Sequence, residues 1–475
     1  MTDPTLAQRL ARFASATHFE DLPEEVVDSV GMRVLDTLGI AIAATSLETS
    51  RAATAWACEQ GGSASASAIG LDVALPAPMA AFVNGVLAHS LDFDDTHLPS
   101  ILHPSASVVP AALAAAQQHQ ADGRTLVRGI AIGLEVCVRL GMAGFIPAAK
   151  NSMFFEHGQH ATSICGSMGS AVAAAVIGGG SEERIVHTLG IAASMASGII
   201  EANRTGGTVK RMHCGWAAHS ALAAEGLARH GITGPPTVLE GRFGFFQAWL
   251  HQAGREAEIA DGLGTNWAVP GIFFKPYPAN HFTHAATDAG AALRRRGVSP
   301  DQIERLVLGV PAAILRTIGE PIEVKRTPAT GYMAQFSGPY AVVVGLLGGG
   351  GLGAALEDYS DELATSAQRR ALMSKVDVVP HSRCDEIFPQ QFPAVLTATL
   401  TDGTTLVEEV LTTRGGPERP LSFEEVSAKF TANAGPFLSD RDIADLAARC
   451  RALADLPEIG VLLEPLTSVG QSSVR

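Results

Sequence analysis

The chain has 475 residues, more than one hydrophobic core usually organises, so two structural units are expected. Its formal net charge of −14 argues against a nucleic-acid surface, which needs a basic face, and no long Lys/Arg cluster is present. Hydrophobic residues make up 47% of the chain, yet the apolar runs break at His, Thr, Asp or Gly before about 18 residues, so no membrane span is expected. The opening Met1-Thr2-Asp3-Pro4 lacks the basic start and apolar stretch of a secretory signal, which makes the cytoplasm the expected compartment. Cys58, Cys137, Cys165, Cys214, Cys384 and Cys450 are scattered without paired C-x-x-C spacing. They signal neither a disulfide framework nor a cysteine-ligated zinc or iron–sulfur site.

From Leu6 to about Ala260 the apolar residues recur at three- and four-residue spacing, with alanine-rich runs such as Val108 to Gln118 and Gly169 to Ile177, and a helical bundle is expected. Within it, Leu91 to His97 followed by His103-Pro104-Ser105 crowds three acids, two histidines and a threonine together. Asp92, Asp94 and Asp95 repel one another unless hydrogen bonds or cations compensate, and Pro99 and Pro104 prevent one continuous helix. The stretch is either a shaped functional loop or a solvated acidic turn. Phe154 to Ser163 places His157 and His160 before an Ala/Gly-rich helix that Thr162 or Ser163 can cap. Gly206 to His219 sets Lys210-Arg211 between glycines and an apolar helix; a solvated basic pair is the plain alternative. Only six lysines occur, so Lys210 and Lys275, each inside a segment rich in Gly, His or aromatic residues, stand out.

The pattern changes near Pro270. Strand-like runs at Ile303 to Val310, Val376 to Val379, Ala394 to Thr401 and Thr404 to Leu411 alternate with helical patterns at Thr283 to Arg296 and Gln335 to Leu347, which predicts an α+β unit. Asp402-Gly403 between the last two runs is a hairpin signal. Lys275 to His284 joins two prolines, a lysine, a tyrosine and two histidines at the expected junction of units, where ligands bind. Thr330 to Tyr340 leads into an apolar helix, and its tyrosines are either ligand contacts or core aromatics with tethered hydroxyls. Gly348 to Gly353 has no preceding strand and no following Lys-Ser/Thr, so no phosphate loop is assigned. After Pro417 and Pro420 the pattern returns to helix, with Ser422 and Glu425 spaced as a capping box.

Together HSLDFDDTH with HPS, GGTVKRMHCGWAAH, TGPPTVLEGRFGFF (Thr233 to Phe246), KPYPANHFTH and AQFSGPY resemble, in order, the signature segments of the MmgE/PrpD family. The resemblance runs from Leu35-Asp36-Thr37-Leu38-Gly39 to the C-terminal helices. It implies a mainly α architecture with an α+β lid: a helical domain from residues 1–270 and 416–475, a lid domain over 271–415, and a homodimer through the helical domain. Family activities include 2-methylcitrate dehydratase, cis-aconitate decarboxylase and iminodisuccinate epimerase, which implies a small polycarboxylate substrate. The family's site positions fall on Asp92, Thr96, His103, His160, Lys210, Lys275 and Tyr340. Two departures bear on which substrate is taken: Ala279-Asn280-His281 stands where many relatives read C-C-R or S-C-R, and Asn203-Arg204 precedes the glycine pair. Arg204 and His281 therefore join Thr96 and Tyr340 as expected substrate contacts.

The shared chemical demand of these activities is a carbanion beside a carboxylate. Lys210 and Lys275 are expected to hold substrate carboxylates and the developing negative charge, while His103 and His160 exchange protons, one of them held protonated by Asp92. No cofactor and no metal are expected, and the cysteine spacing excludes an aconitase-type cluster. The alternatives are an epimerase, a divalent-metal enzyme using Asp92, Asp94, Asp95 and His97, and a non-catalytic helical binding protein.

Overall fold

The apolar runs of the first half fold as helices, with bounds at Glu24–Ala44 (α1), Ala77–His89 (α2), Ser105–His119 (α3), Gly123–Ala143 (α4), Ala161–Ile177 (α5) and Val209–Arg229 (α6). The computed structural model describes residues 3–470, apart from the side chains at 203 and 204. Every residue of α5 is buried. A helix apolar on all sides belongs at a core, and α3, α4 and α6 pack around this one. Its Ala, Gly and Ser content keeps its neighbours close.

The closest approach that matters for the site is between α2 and α6. A Cβ on Gly85 would stand 2.8 Å from the Gly215 Cα, and one on Gly215 would collide with the Phe82 carbonyl. Only glycine at both positions lets the two backbones meet. That contact brings the C-terminal end of α2, at His89, alongside the first turns of α6, which carry Lys210 and His213.

The chain divides into two units, one from its beginning to Ile272 and again from Asn433 onward, the other over Phe273–Ala432. The first unit is helical, with a single two-residue strand pair, Phe145–Ile146 with Asn151–Ser152, among its described residues. The second holds a four-stranded mixed sheet of Ile303–Val310 (β1), Val376–Pro380 (β2), Ala394–Leu400 (β3) and Thr405–Val410 (β4), in the order β2-β1-β3-β4. β1 runs parallel to β2 and antiparallel to β3. The β3–β4 hairpin turns at Asp402-Gly403: Gly403 takes φ +86° and the Asp402 carboxylate accepts the Thr404 N–H at 2.9 Å. Helices His284–Arg295 (α7) and Gly338–Leu347 (α8) pack together in this unit. Phe423–Ala434 (α9) starts at the expected capping box, with Ser422 N–H on Glu425 at 2.8 Å and Glu425 N–H on the Ser422 hydroxyl at 3.2 Å. Most of α9 thus lies in the second unit, which ends at Ala432, and the helical unit resumes at Asn433. The architecture is mainly α with a smaller α+β unit. Among the described residues no helix is long and apolar enough to cross a membrane.

Candidate active site

The acidic loop between α2 and α3 is buried and shaped, not solvated. Asp92, Asp94, Asp95, Thr96 and His97 are each less than a tenth exposed. Asp92 takes a left-handed φ of +53°, a conformation that Asp tolerates better than most residues. Arg33 of α1 reaches the Asp95 carboxylate at 2.7 Å and also donates to the Ile272 carbonyl at 2.8 Å. The same carboxylate accepts the Ser105 hydroxyl at 2.5 Å and the Ser105 N–H at 3.1 Å. Burial pushes the Asp95 carboxyl up, and Arg33 and Ser105 oppose that push. His97 closes the loop's far end: its backbone pairs with Leu102, and its ring meets the Ser100 hydroxyl at 2.7 Å.

Four imidazoles converge on this loop. His103, half-buried, has Nδ1 at 2.7 Å from the Asp95 carbonyl and 3.3 Å from the Thr96 hydroxyl. A carbonyl only accepts, so Nδ1 carries the proton and Nε2 is the reactive nitrogen. His89 binds the Asp94 carboxylate through Nδ1 at 2.6 Å. Its ring centroid stands 5.6 Å from that of His103 and 5.5 Å from that of His160. His160, at the N-cap of α5, faces His213 with their Nδ1 atoms 2.9 Å apart, so one of the two donates and the other accepts. Burial holds His160 well below the usual histidine range, helped by the positive charges of His89 and Lys210. His213 is lowered to about 4, again by burial first. Both rings are therefore neutral near pH 7. Lys210 lies one turn before His213 on α6, and its charge acts on both rings.

Of the residues expected from sequence, Thr96, His103, His160 and Lys210 gather here in the first unit. Asp92 lies in the same loop, and the Asp94 carboxylate binds His89. Sequence alone does not mark His89 or His213 as site residues, although one opens HSLDFDDTH and the other stands three residues after Lys210. The alternative metal set is dispersed, with Asp95 on Arg33, Asp94 on His89 and His97 on Ser100. Among the described residues no group of three His, Cys, Asp or Glu is arranged to hold an ion.

Lys275, His281 and Tyr340 belong to the second unit. Lys275 is 1% exposed. His281 is buried among rings, 4.5 Å from His284, 5.6 Å from Phe392 and 5.9 Å from Phe273 by centroid. Tyr340 is buried, and its hydroxyl donates to the Asp358 carbonyl at 2.5 Å and accepts from Arg369 at 2.6 Å. The Arg204 side chain lies outside the described residues.

Comparison with known proteins gives the family. The MmgE/PrpD N-terminal domain matches residues 8–258 and the MmgE/PrpD C-terminal domain residues 277–452. The chain is 31% identical to the cis-aconitate decarboxylase of Homo sapiens over 470 residues, covering 95% of this chain and 92% of that protein. It is 30% identical to that of Mus musculus over 441 residues, covering 90% and 86%. Against the cis-aconitate decarboxylase of Aspergillus terreus (strain NIH 2624 / FGSC A1156) it is 24% identical over 478 residues, covering 96% and 95%. With both domains matched in order and the relatives aligned almost end to end, the chain belongs to the MmgE/PrpD family.

Proposed function

We propose that this protein is a lyase that decarboxylates a small unsaturated tricarboxylate of the cis-aconitate type by proton transfer from its histidine cluster. The observation that carries the reading is the convergence of four imidazoles with Lys210, two of the rings buried and neutral and one, His103, half-exposed with a fixed tautomer. The names of the relatives support the substrate class.

In such a substrate one carboxylate sits on a carbon next to a C=C bond. When its C–C bond to CO2 breaks, the electron pair moves into a new C=C bond. The original π pair then takes a proton at the far alkene carbon, which carries another carboxylate. The balance is one proton in and one CO2 out. His103 supplies that proton from Nε2 and regains one from solvent, while its Nδ1–H stays on the Asp95 carbonyl. Negative charge that develops on the substrate's carboxylate oxygens is met by Lys210, an effect worth several kcal/mol in a water-poor site. Neutral His160 and His213 accept protons or hydrogen bonds without adding charge. Thr96 steadies the His103 ring. Lys275 is proposed independently, from its sequence segment, as a carboxylate-binding cation, and Lys275→Met should raise KM. A homodimer in the cytoplasm is the accompanying proposal, read by sedimentation and by localisation.

Release of CO2 from cis-aconitate by the purified protein tests the reading. His103→Gln should lower kcat by about two to four orders of magnitude while the thermal transition stays in place. Near-normal turnover in a folded variant removes His103 as proton donor. Solvent proton exchange without CO2 release would favour epimerisation instead.

A further inference from the structure

The His89–Asp94 pair lies in the middle of the cluster, yet the proton transfer just described leaves it unused. His89 is 4% exposed, and its Nε2 is buried without a hydrogen-bond partner among the described residues. A buried imidazole with one nitrogen on a carboxylate at 2.6 Å and two further imidazoles within 5.6 Å by centroid is not a surface salt bridge. Those two rings are the groups assigned to proton exchange. We propose that His89, clamped on Asp94, is a positioning residue of the cluster: a buried imidazolium beside His103 and His160 that fixes the charge against which they work. The proposal rests on the reading of those two histidines as the proton-transfer pair.

Several features agree. Asp94 provides the counter-charge that a buried cation requires. The groups beside His89 are Asp94 and His103 from the loop, His160 from the start of α5 and His213 from α6, with Lys210 one turn before His213 and its charge acting on both His160 and His213. Cys214, also on α6, packs against Ala88 and Ala106 as an apolar neighbour. Asp95, the remaining acid, is engaged by Arg33. The charge of His89 is among the causes that hold both His160 and His213 below their ordinary range. Position depends on the glycine contact between α2 and α6, because His89 is the last residue of α2.

A structural filler and a fixed cation differ in how they affect the pH profile. Removing a cation beside His160 lets that ring take up protons at higher pH, so the acid limb of kcat/KM should move upward. In His89→Gln the limb should rise by about half a pH unit or more, with kcat down roughly 10- to 100-fold and KM changed less than about twofold. Asp94→Asn should move the limb the same way, and His89→Lys should return it toward the native position. A folded His89→Gln or Asp94→Asn variant with an unmoved acid limb overturns the proposal. One readout needs neither substrate nor variant: in 15N spectra of the intact protein recorded as the pH is raised, the ring on Asp94 should keep its imidazolium signal after His160 and His213 have become neutral. If no ring of the cluster keeps a proton beyond those two, the cation does not exist. Because that spectrum is independent of turnover, it separates failure of this proposal from failure of the decarboxylase reading.

Discussion

Arg33→Met removes the cation on which the Asp95 carboxylate rests. The guanidinium is 1% exposed; besides Asp95 it serves the carbonyls of Ile272 at 2.8 Å and Val269 at 3.2 Å. Deleting one member of a buried pair leaves the other charge uncompensated, at a cost of about 3–5 kcal/mol. For a unit of roughly 300 residues, with an unfolding entropy of about 2 cal/mol/K per residue, that lowers its thermal transition by about 5–8 °C. The loss depends on pH. Burial already raises the Asp95 carboxyl, and without Arg33 nothing of equal strength opposes it. An acid whose folded value is raised destabilises the fold only while it is forced to ionise. The deficit is therefore full at pH 8 and shrinks as the pH falls through the raised folded value toward the ordinary range. Calorimetry of wild type and variant at pH 8 and pH 5 reads both quantities. A deficit below about 1 kcal/mol at pH 8, or one equal at both pH values, would refute the reasoning. Turnover should fall as well, since the carbonyl that holds the His103 ring belongs to Asp95.

Gly215→Ala puts a methyl group into the Phe82 carbonyl; it should cost about 1–3 kcal/mol despite alanine's better helix propensity, and a stabilised variant in urea unfolding would show that α2 and α6 do not need that contact. His97, lowered to about 4 by burial and by the Arg33 charge, is neutral in the fold above that value. It contributes on the order of 3 kcal/mol that is present above pH 6.5 and lost as the pH falls toward 4, so His97→Gln should flatten the acid side of the stability curve. Tyr340→Phe strips the hydroxyl between Arg369 and the Asp358 carbonyl and should destabilise the second unit by about 1–3 kcal/mol with kcat and KM nearly unchanged; a raised KM without loss of stability would restore Tyr340 as a substrate contact.

The second unit's sheet was legible because its signals are local. Period-two runs and one Asp-Gly turn placed β1, β2, β3 and β4 within a residue or so, and the Ser422–Glu425 spacing marked the start of α9. The loop's importance was legible from its density of ionisable groups. What each acid does was not, because the partners come from elsewhere in the chain. Asp95 finds Arg33 on α1, and the His160–His213 pair depends on α5 and α6 packing together. His89 carries no sequence signal beyond its place at the head of HSLDFDDTH, and its surroundings form only once Gly85 and Gly215 bring α2 onto α6. For Tyr340 the sequence left a ligand contact and a core aromatic open, because Arg369, which binds its hydroxyl, sits in a short helix with no pattern to announce it.

In the proposed reaction this cluster delivers one proton to carbon as CO2 departs. Incubating the protein with cis-aconitate in deuterated water and following the products by NMR tests it directly. Wild type should form a decarboxylated product with a shifted double bond and one deuterium on the carbon beside a carboxylate, and His103→Gln should slow this at least about a hundredfold. Product carrying no solvent deuterium, or equal rates in the two proteins, would contradict it.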